Sequence, residues 1–133
     1  MNASDKPPPP AGRSRHVLVV DDNVDAAETL ALILQLDGHS VHVAHGGQQA
    51  LSVAATLRPE IVFLDIGLPD ISGYEVAKRL RALPALQGTR LVALTGWGAA
   101  GDRQQAREAG FDLHLTKPVS PDSLAQAVAA WDR

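Results

Sequence analysis

Three short runs of the chain are apolar almost throughout, and they constrain the fold more than any other feature. They are HVLVV at 16–20, IVFL at 61–64 and LVAL at 91–94. Runs of this length and composition are typical of strands that are covered on both faces. Two further runs, VHVAH at 41–45 and LHLT at 113–116, alternate between apolar and polar residues. That alternation predicts strands with one less-buried face.

The segments between these runs have helical patterns. In most of them apolar residues recur at helical spacing, and capping residues, glycine or proline mark the ends. The fourth segment is the exception, because it is rich in Gln, Arg and Gly and carries few apolar residues. We predict helices at 24–37, 47–57, 72–83, 99–109 and 121–131.

Five strands alternating with five helices predict an α/β fold in which a parallel sheet carries helices on both faces. Right-handed crossovers leave few topologies. The less-buried second and fifth strands belong at the edges, which selects the strand order 2-1-3-4-5. We therefore predict one flavodoxin-like (βα)5 domain at 16–133, preceded by a disordered proline-rich leader or linker at 1–15.

Composition excludes several classes of function. The chain has 133 residues, enough for one domain, and a formal net charge of −3 without a basic run, so nucleic acid is not an expected partner. No apolar stretch approaches the ~20 residues of a membrane span. Cysteine is absent, which excludes disulfides and thiol catalysis and is compatible with a reducing cytoplasm. We expect a cytoplasmic protein.

Polar residues follow four of the predicted strands. Asp21 and Asp22 follow the first strand, and Asp65, Thr95 and Lys117 end the third, fourth and fifth. Because the carboxyl ends of parallel strands meet at one edge of the sheet, we expect these side chains to converge. Three clustered carboxylates raise one another's pKa unless cations are present. Lys117 and a bound Mg²⁺, which prefers oxygen ligands, would together neutralise them.

Asp65 is the best-placed nucleophile in this pocket, because it ends the central strand. An ionised carboxylate can attack phosphorus and form an acyl phosphate. Phosphoryl transfer depends mainly on positioning and on neutralising charge on the phosphoryl oxygens. Mg²⁺, Lys117 and either the Thr95 hydroxyl or a backbone N–H could each serve one of these oxygens.

Four segments of the chain resemble segments of a known protein family. VLVVDDN, FLDIGLPDISGYE, ALTG and LTKPVS resemble the hallmark segments of the response-regulator receiver domain of two-component signalling. The resemblance covers nearly all of 16–131. It implies that Asp65 is the phosphoacceptor, that Asp21, Asp22 and Asp65 bind the metal, and that the backbone carbonyl of Gly67 is a further ligand.

The resemblance also assigns roles at the last two strands. It implies that Thr95 is the switch hydroxyl and that Lys117 pairs with the phosphate. The peptide bond between Lys117 and Pro118 is expected to be cis.

The function that the resemblance implies is a phosphorylation-controlled switch. The phosphoryl group would come from a phosphohistidine on a sensor histidine kinase or a histidine phosphotransfer protein, with docking at the helix predicted over 24–37. The signal would pass through the face formed by the fourth helix, fifth strand and fifth helix to a downstream protein. Such a protein is not an enzyme beyond its own phosphorylation and dephosphorylation, and we expect a monomer or weak dimer.

Two positions depart from the commonest receiver pattern. His114 stands three residues before Lys117, where many receivers carry Tyr or Phe as a switch residue. Trp97 places a bulky ring two residues after Thr95. We hypothesise that Trp97 shields the acyl phosphate from water, so that Trp97→Ala would dephosphorylate faster.

Other functions fit the sequence less well. A haloacid-dehalogenase-like phosphatase needs a carboxylate two residues after the nucleophile, where this chain has Gly67. A flavodoxin needs a phosphate-binding loop after the first strand, where Asp21 and Asp22 would repel phosphate. Two alternatives stay open: a docking module that works without phosphorylation, and a receiver segment of a hybrid sensor histidine kinase.

Overall fold

A computed structural model describes residues 14–96 and 102–131 and confirms the predicted architecture. The five strands form one sheet in the order β2-β1-β3-β4-β5, and every neighbouring pair is parallel. The strands are β1 His16–Val20, β2 Ser40–Ala44, β3 Ile61–Asp65, β4 Arg90–Thr95 and β5 Leu113–Thr116. The helices are α1 Val24–Leu36, α2 Gly47–Leu57, α3 Gly73–Arg81, α4 Asp102–Ala109 and α5 Pro121–Trp131, with a 3₁₀ turn at Pro84–Leu86.

Side chains of the three central strands alternate between two apolar layers. In β1, Leu18 and Val20 pack with residues of α2, α3 and α4, whereas Val17 and Val19 pack with residues of α1 and α5. All five residues of β3 are buried, as expected for a strand covered on both faces. Within the described ranges, no helix is long and apolar enough to cross a membrane.

The edge strands are less buried than the central ones, as their alternating sequences predicted. Ser40 and His42 of β2 are exposed, and no residue of β5 is fully buried. The predicted end of the third helix was wrong by two residues, because α3 ends at Arg81 rather than at 83. Leu83 is extended, with ψ of 121°, since the ring of Pro84 disfavours helical geometry in the residue before it. Residues 99–101 of the predicted fourth helix lie outside the described residues.

Hydrogen bonds hold the residues before β1 at the amino-terminal pole of the sheet. This pole is the end of the domain opposite Asp21 and Asp65. Arg15 is 5% exposed, and its guanidinium donates to the Glu60 carboxylate over 3.1 Å. Ser14 donates its hydroxyl to the carbonyl of Gly38. The leader assignment at 1–15 otherwise falls on residues outside the described part, so the domain boundary stays a prediction.

One arginine joins the turns at this same pole. The Arg81 guanidinium donates to the Asp112 carboxylate over 2.7 Å, and Asp112 also accepts from the N–H of Leu91 at the start of β4. The guanidinium also donates to four backbone carbonyls in the turns after α3 and α4, those of Leu86, Gln87, Thr89 and Gly110.

Replacing Arg81 with Ala should therefore lower the free energy of unfolding by about 2–3 kcal/mol, because several half-buried acceptors lose a charged donor at once. The control is Arg79→Ala, which removes an exposed pair with Glu75 and should cost no more than ~0.5 kcal/mol. Urea denaturation of both variants measures the difference. Equal losses would contradict the role assigned to Arg81.

Candidate functional site

Three carboxylates meet where β1 and β3 end. Asp21 follows the last residue of β1, and Asp65 is the last residue of β3; both are buried. Asp22, the next residue along the chain, is exposed. One oxygen from each carboxylate lies within 4.8 Å of the others, so the sheet does bring the three predicted acidic residues together.

Lys117 provides a positive charge beside the two buried carboxylates. Its Nζ donates to Asp21 Oδ2 over 3.0 Å and to Asp65 Oδ2 over 2.9 Å. The residue follows β5 directly, and its N–H donates to the carbonyl of Thr95 over 2.8 Å. The peptide bond between Lys117 and Pro118 is cis.

The pKa values of two of these groups are shifted in the folded protein. Burial raises the pKa of Asp21 above its ordinary value, against the opposing effects of the Asn23 N–H and the Lys117 ammonium. Burial alone would lower the pKa of Lys117, but hydrogen bonds and charge from Asp65 and Asp21 outweigh it, so the pKa of Lys117 lies above 10.5. Lys117 is therefore charged at neutral pH.

The loop after Asp65 is held tightly against β3. The Gly67 N–H donates to Asp65 Oδ1 over 2.8 Å, which leaves Oδ2 to Lys117. The loop closes where the Gly73 N–H donates to the carbonyl of Ile66. A Cβ on Gly73 would lie 2.4 Å from the Ile66 Cα and 2.6 Å from the Asp65 carbonyl oxygen, so only glycine admits this approach of α3 to the loop.

The two predicted switch residues lie on neighbouring strands. Thr95 ends β4, is buried, and donates its hydroxyl to the Leu115 carbonyl over a long 3.4 Å. His114 of β5 is half-buried and pairs in register with Ala93, which belongs to the apolar layer beneath α2, α3 and α4. Trp97 lies outside the described residues, so its shielding role stays a prediction.

A family comparison bears directly on this site. The sequence-family model of the response regulator receiver domain matches residues 17–129 of this chain. The chain belongs to the response-regulator receiver family. Receiver domains are modules of two-component signalling rather than classical enzymes, and phosphorylation on an aspartate is general among them.

Solved structures and a curated relative agree with the family assignment. The receiver domain of a CheY-like response regulator from Methylobacillus flagellatus is 34% identical, with a TM-score of 0.81 over 89% of this chain and 98% of that one. The DNA-binding response regulator MtrA of Mycolicibacterium paratuberculosis is 36% identical over 87% of this chain. This receiver spans 50% of the length of MtrA.

Two further solved structures show receivers with a metal or a partner. The receiver domain of the sensor histidine kinase PA1611 from Pseudomonas aeruginosa, with a magnesium ion coordinated in its active-site cleft, is 27% identical, with a TM-score of 0.82 over 90% and 98% of the two chains. The receiver domain of Ssk1 from Saccharomyces cerevisiae, crystallised with the histidine phosphotransfer protein Ypd1, is 29% identical, with a TM-score of 0.82 over 90% and 89%.

The donor set of this receiver fits a hard divalent cation. Asp21, Asp22 and Asp65 offer only oxygen, and one oxygen from each carboxylate lies within 4.8 Å of the others. Mg²⁺ has octahedral coordination with ligand distances of about 2.0–2.1 Å, so its ligands lie roughly 3–4 Å apart. An acidic pocket of this kind is typical of Mg²⁺ binding by receivers, and Asp21, Asp22 and Asp65 supply oxygen ligands of the type that Mg²⁺ prefers.

Sequence reasoning missed two residues around the site. The ring Nδ1 of His45, just after β2, lies 3.1 Å from the carbonyl oxygen of Asp21 and donates to it in the tautomer with a proton at Nδ1. Asp70, five residues after Asp65, accepts hydrogen bonds from the first turn of α2. Gly46 and Gly47 could have signalled the second contact, because a helix that begins on two glycines has no side-chain cap of its own.

The loss of stability caused by removing Lys117 should be larger at neutral pH than at acidic pH. At pH 7 without Mg²⁺, Lys117→Ala should be less stable than the parent by roughly 2 kcal/mol, since Asp21 and Asp65 lose their shared cation. The difference should shrink as pH falls toward 4, because one carboxylate can then take up a proton.

Urea unfolding of parent and variant between pH 4 and 8 measures this effect. In the parent, the pKa of Lys117 is raised, so its contribution persists through neutral pH and is lost only as pH rises through its folded-state pKa. Lys78→Ala, which changes an exposed lysine of α3, is the control. A Lys117→Ala deficit that is constant with pH would contradict the electrostatic explanation.

Proposed function

We propose that this receiver is a phosphorylation-controlled switch whose phosphoacceptor is Asp65. The observation that carries the proposal is the bridge from Lys117 Nζ to both Asp21 and Asp65, 3.0 and 2.9 Å long, at the carboxyl edge of the sheet. A simple structural ion pair needs one carboxylate. Two buried carboxylates sharing one lysine, with a third beside them, leave negative charge for a cation to neutralise.

Asp65 performs the covalent step in this proposal. Its carboxylate forms an O–P bond with the incoming phosphoryl group while the N–P bond of a phosphohistidine donor breaks, and the imidazole leaves with the electron pair. Lys117 then pairs with a phosphoryl oxygen instead of Asp65 Oδ2. The Gly67 N–H, already on Asp65 Oδ1, keeps the carboxylate oriented during transfer.

The proposed metal ligands are the carboxylates of Asp21, Asp22 and Asp65 and the backbone carbonyl of Gly67. Bound Mg²⁺ would neutralise charge on the phosphoryl oxygens. Burial of Asp21 prepares this site, because a carboxylate with a raised pKa gains from a nearby cation. The magnesium in the cleft of the PA1611 receiver supports the assignment.

The proposed phosphodonor is a phosphohistidine on a sensor histidine kinase or on a histidine phosphotransfer protein. The co-crystal of the Ssk1 receiver with Ypd1 supports this class of partner. On this chain, α1 begins beside the acidic site and carries three exposed large apolar residues, Val24, Leu32 and Leu36. We assign donor docking to this helix, because these exposed apolar side chains lie on the element that begins beside the acidic site.

The proposed output runs through α4, β5 and α5. The phosphoryl group would draw the Thr95 hydroxyl away from its long contact with the Leu115 carbonyl, which costs little because a 3.4 Å bond is weak. His114, in the layer beneath α4, would then change position in place of the usual aromatic residue. Few apolar residues hold α4 to the sheet, which suits an element that moves.

Incubation with Mg²⁺ and acetyl phosphate, followed by intact mass spectrometry, tests the acceptor. The parent should gain one phosphoryl group, and Asp65→Ala should gain none. Asp122→Ala, which changes an exposed aspartate in the first turn of α5, is the matched control and should be modified like the parent. Hydroxylamine should remove the added mass, because it cleaves acyl phosphates.

Two other results of this experiment would contradict the proposal. Modification of Asp65→Ala would refute the assignment of the acceptor. If the parent stays unmodified by acetyl phosphate and by a phosphorylated histidine phosphotransfer protein, the chain acts as a docking module without phosphorylation.

A further inference from the structure

The helix α2 begins without a cap of its own. Its N-cap residue is Gly46, which has no side chain to accept a hydrogen bond, and its first turn contains no acidic residue. The first N–H groups of a helix lack partners within the helix and carry partial positive charge. These N–H groups are therefore open to an acceptor from outside the helix.

Asp70 supplies that acceptor from a distant part of the chain. Its Oδ1 accepts from the N–H of Gly47 over 2.9 Å, and its Oδ2 accepts from the N–H of Gln48 over 3.0 Å. The backbone N–H groups of Gln48, Gly47 and Ile71 lower the pKa of Asp70 to about 2. The Asp70 carboxylate is therefore charged at neutral pH, where it can accept both hydrogen bonds.

The two glycines of α2 make room for this contact. A Cβ on Gly46 would lie 3.3 Å from Asp70 Oδ2, which is tight. A Cβ on Gly47 would lie 2.9 Å from Val76 Cγ2 and 3.0 Å from Ile71 Cβ. The start of α2 therefore packs directly on the segment from Asp70 into α3.

This segment belongs to the loop that shapes the acceptor site. Asp70 lies midway between Gly67, whose N–H binds Asp65 Oδ1, and Gly73, whose N–H closes the loop on Ile66. The loop is thus fixed to β3 near both ends, while Asp70 is the contact that ties its middle to α2.

The residues just before α2 also contact Asp21. His45 precedes Gly46, and its ring Nδ1 lies 3.1 Å from the Asp21 carbonyl oxygen. The Asp21 N–H in turn donates to the carbonyl of Ala44. The first turn of α2 and the residues before it therefore join the loop that carries Asp21 to the loop that follows Asp65.

We propose that Asp70 is a positioning residue of the acceptor site, which holds the loop carrying Gly67 in register with Asp21 by capping α2 from outside. This inference rests on the proposed function, in that the positioned groups are ligands for Mg²⁺. Asp70 itself lies outside the ligand set, so its effect is indirect. Loss of the contact should loosen residues 66–72 and weaken Mg²⁺ binding.

The first test compares the parent with Asp70→Ala by calorimetric titration with MgCl₂ and by amide hydrogen exchange without metal. We expect the Kd for Mg²⁺ to rise about tenfold, the range seen when residues that orient metal ligands are removed. The amides of 66–72 should exchange faster, and those of β4 should not. If Asp70→Ala fails to fold, Asp70→Asn, which keeps one acceptor oxygen, replaces it with a smaller expected shift.

A second variant separates positioning from helix capping. Gly46 is extended, with φ of −158° and ψ of 168°, a conformation that serine adopts at an N-cap. In the Gly46→Ser/Asp70→Ala double variant, the introduced hydroxyl would cap α2 locally and restore its stability without restoring the link to the loop. Thermal stability should recover toward the parent, whereas the Kd for Mg²⁺ should stay raised.

A matched control removes an ordinary cap. Ser120 accepts from the Ser123 N–H at the start of α5, and Ser120→Ala should lower stability without changing the Kd for Mg²⁺. Recovery of Mg²⁺ affinity in the double variant would overturn the proposal and leave Asp70 a capping residue alone. A parent that binds no Mg²⁺ would refute the proposed metal site, and the exchange of 66–72 would then decide the role of Asp70 by itself.

Discussion

The bridge of Lys117 to Asp21 and Asp65 is the contact on which the arrangement of the site depends. Two buried carboxylates at the ends of adjacent strands repel each other, and each loses hydration. The ammonium group relieves both costs, with Nζ 3.0 and 2.9 Å from the two carboxylates. Because Lys117 follows β5, Asp21 follows β1 and Asp65 ends β3, this contact also links the ends of these three strands.

The negative charges of this cluster are unfavourable for the stability of the free protein but favourable for binding a cation. Burial raises the pKa of Asp21 even with Lys117 in contact, so the ionised carboxylate is less favourable here than in water. A divalent cation reverses that balance, since it adds the positive charge that the cluster lacks. A bound divalent cation would therefore make the ionised form of Asp21 more favourable than it is in the free protein.

The positions of these carboxylates depend on contacts between the neighbouring loops and helices. Gly73 lets α3 approach the backbone at Asp65 and Ile66 more closely than any residue with a Cβ allows. Asp70 then joins the same loop to the start of α2. By contrast, at the opposite pole the Arg81 guanidinium binds several acceptors in the turns and the Arg15 guanidinium binds Glu60, and these contacts stabilise the end of the domain that lies away from the acidic site.

The sequence by itself determined the element pattern, the strand order and the identity of the converging residues. Short apolar runs report strands buried on both faces, and in a parallel sheet every carboxyl end lies at one edge, so Asp21, Asp65 and Lys117 were expected to meet. Tertiary structure alone decided the sharing of Lys117 between two carboxylates, the contact of His45 with the Asp21 carbonyl and the capping of α2 by Asp70. These contacts join residues 22 to 96 positions apart, and the local periodicity of a sequence carries no information about distances between loops.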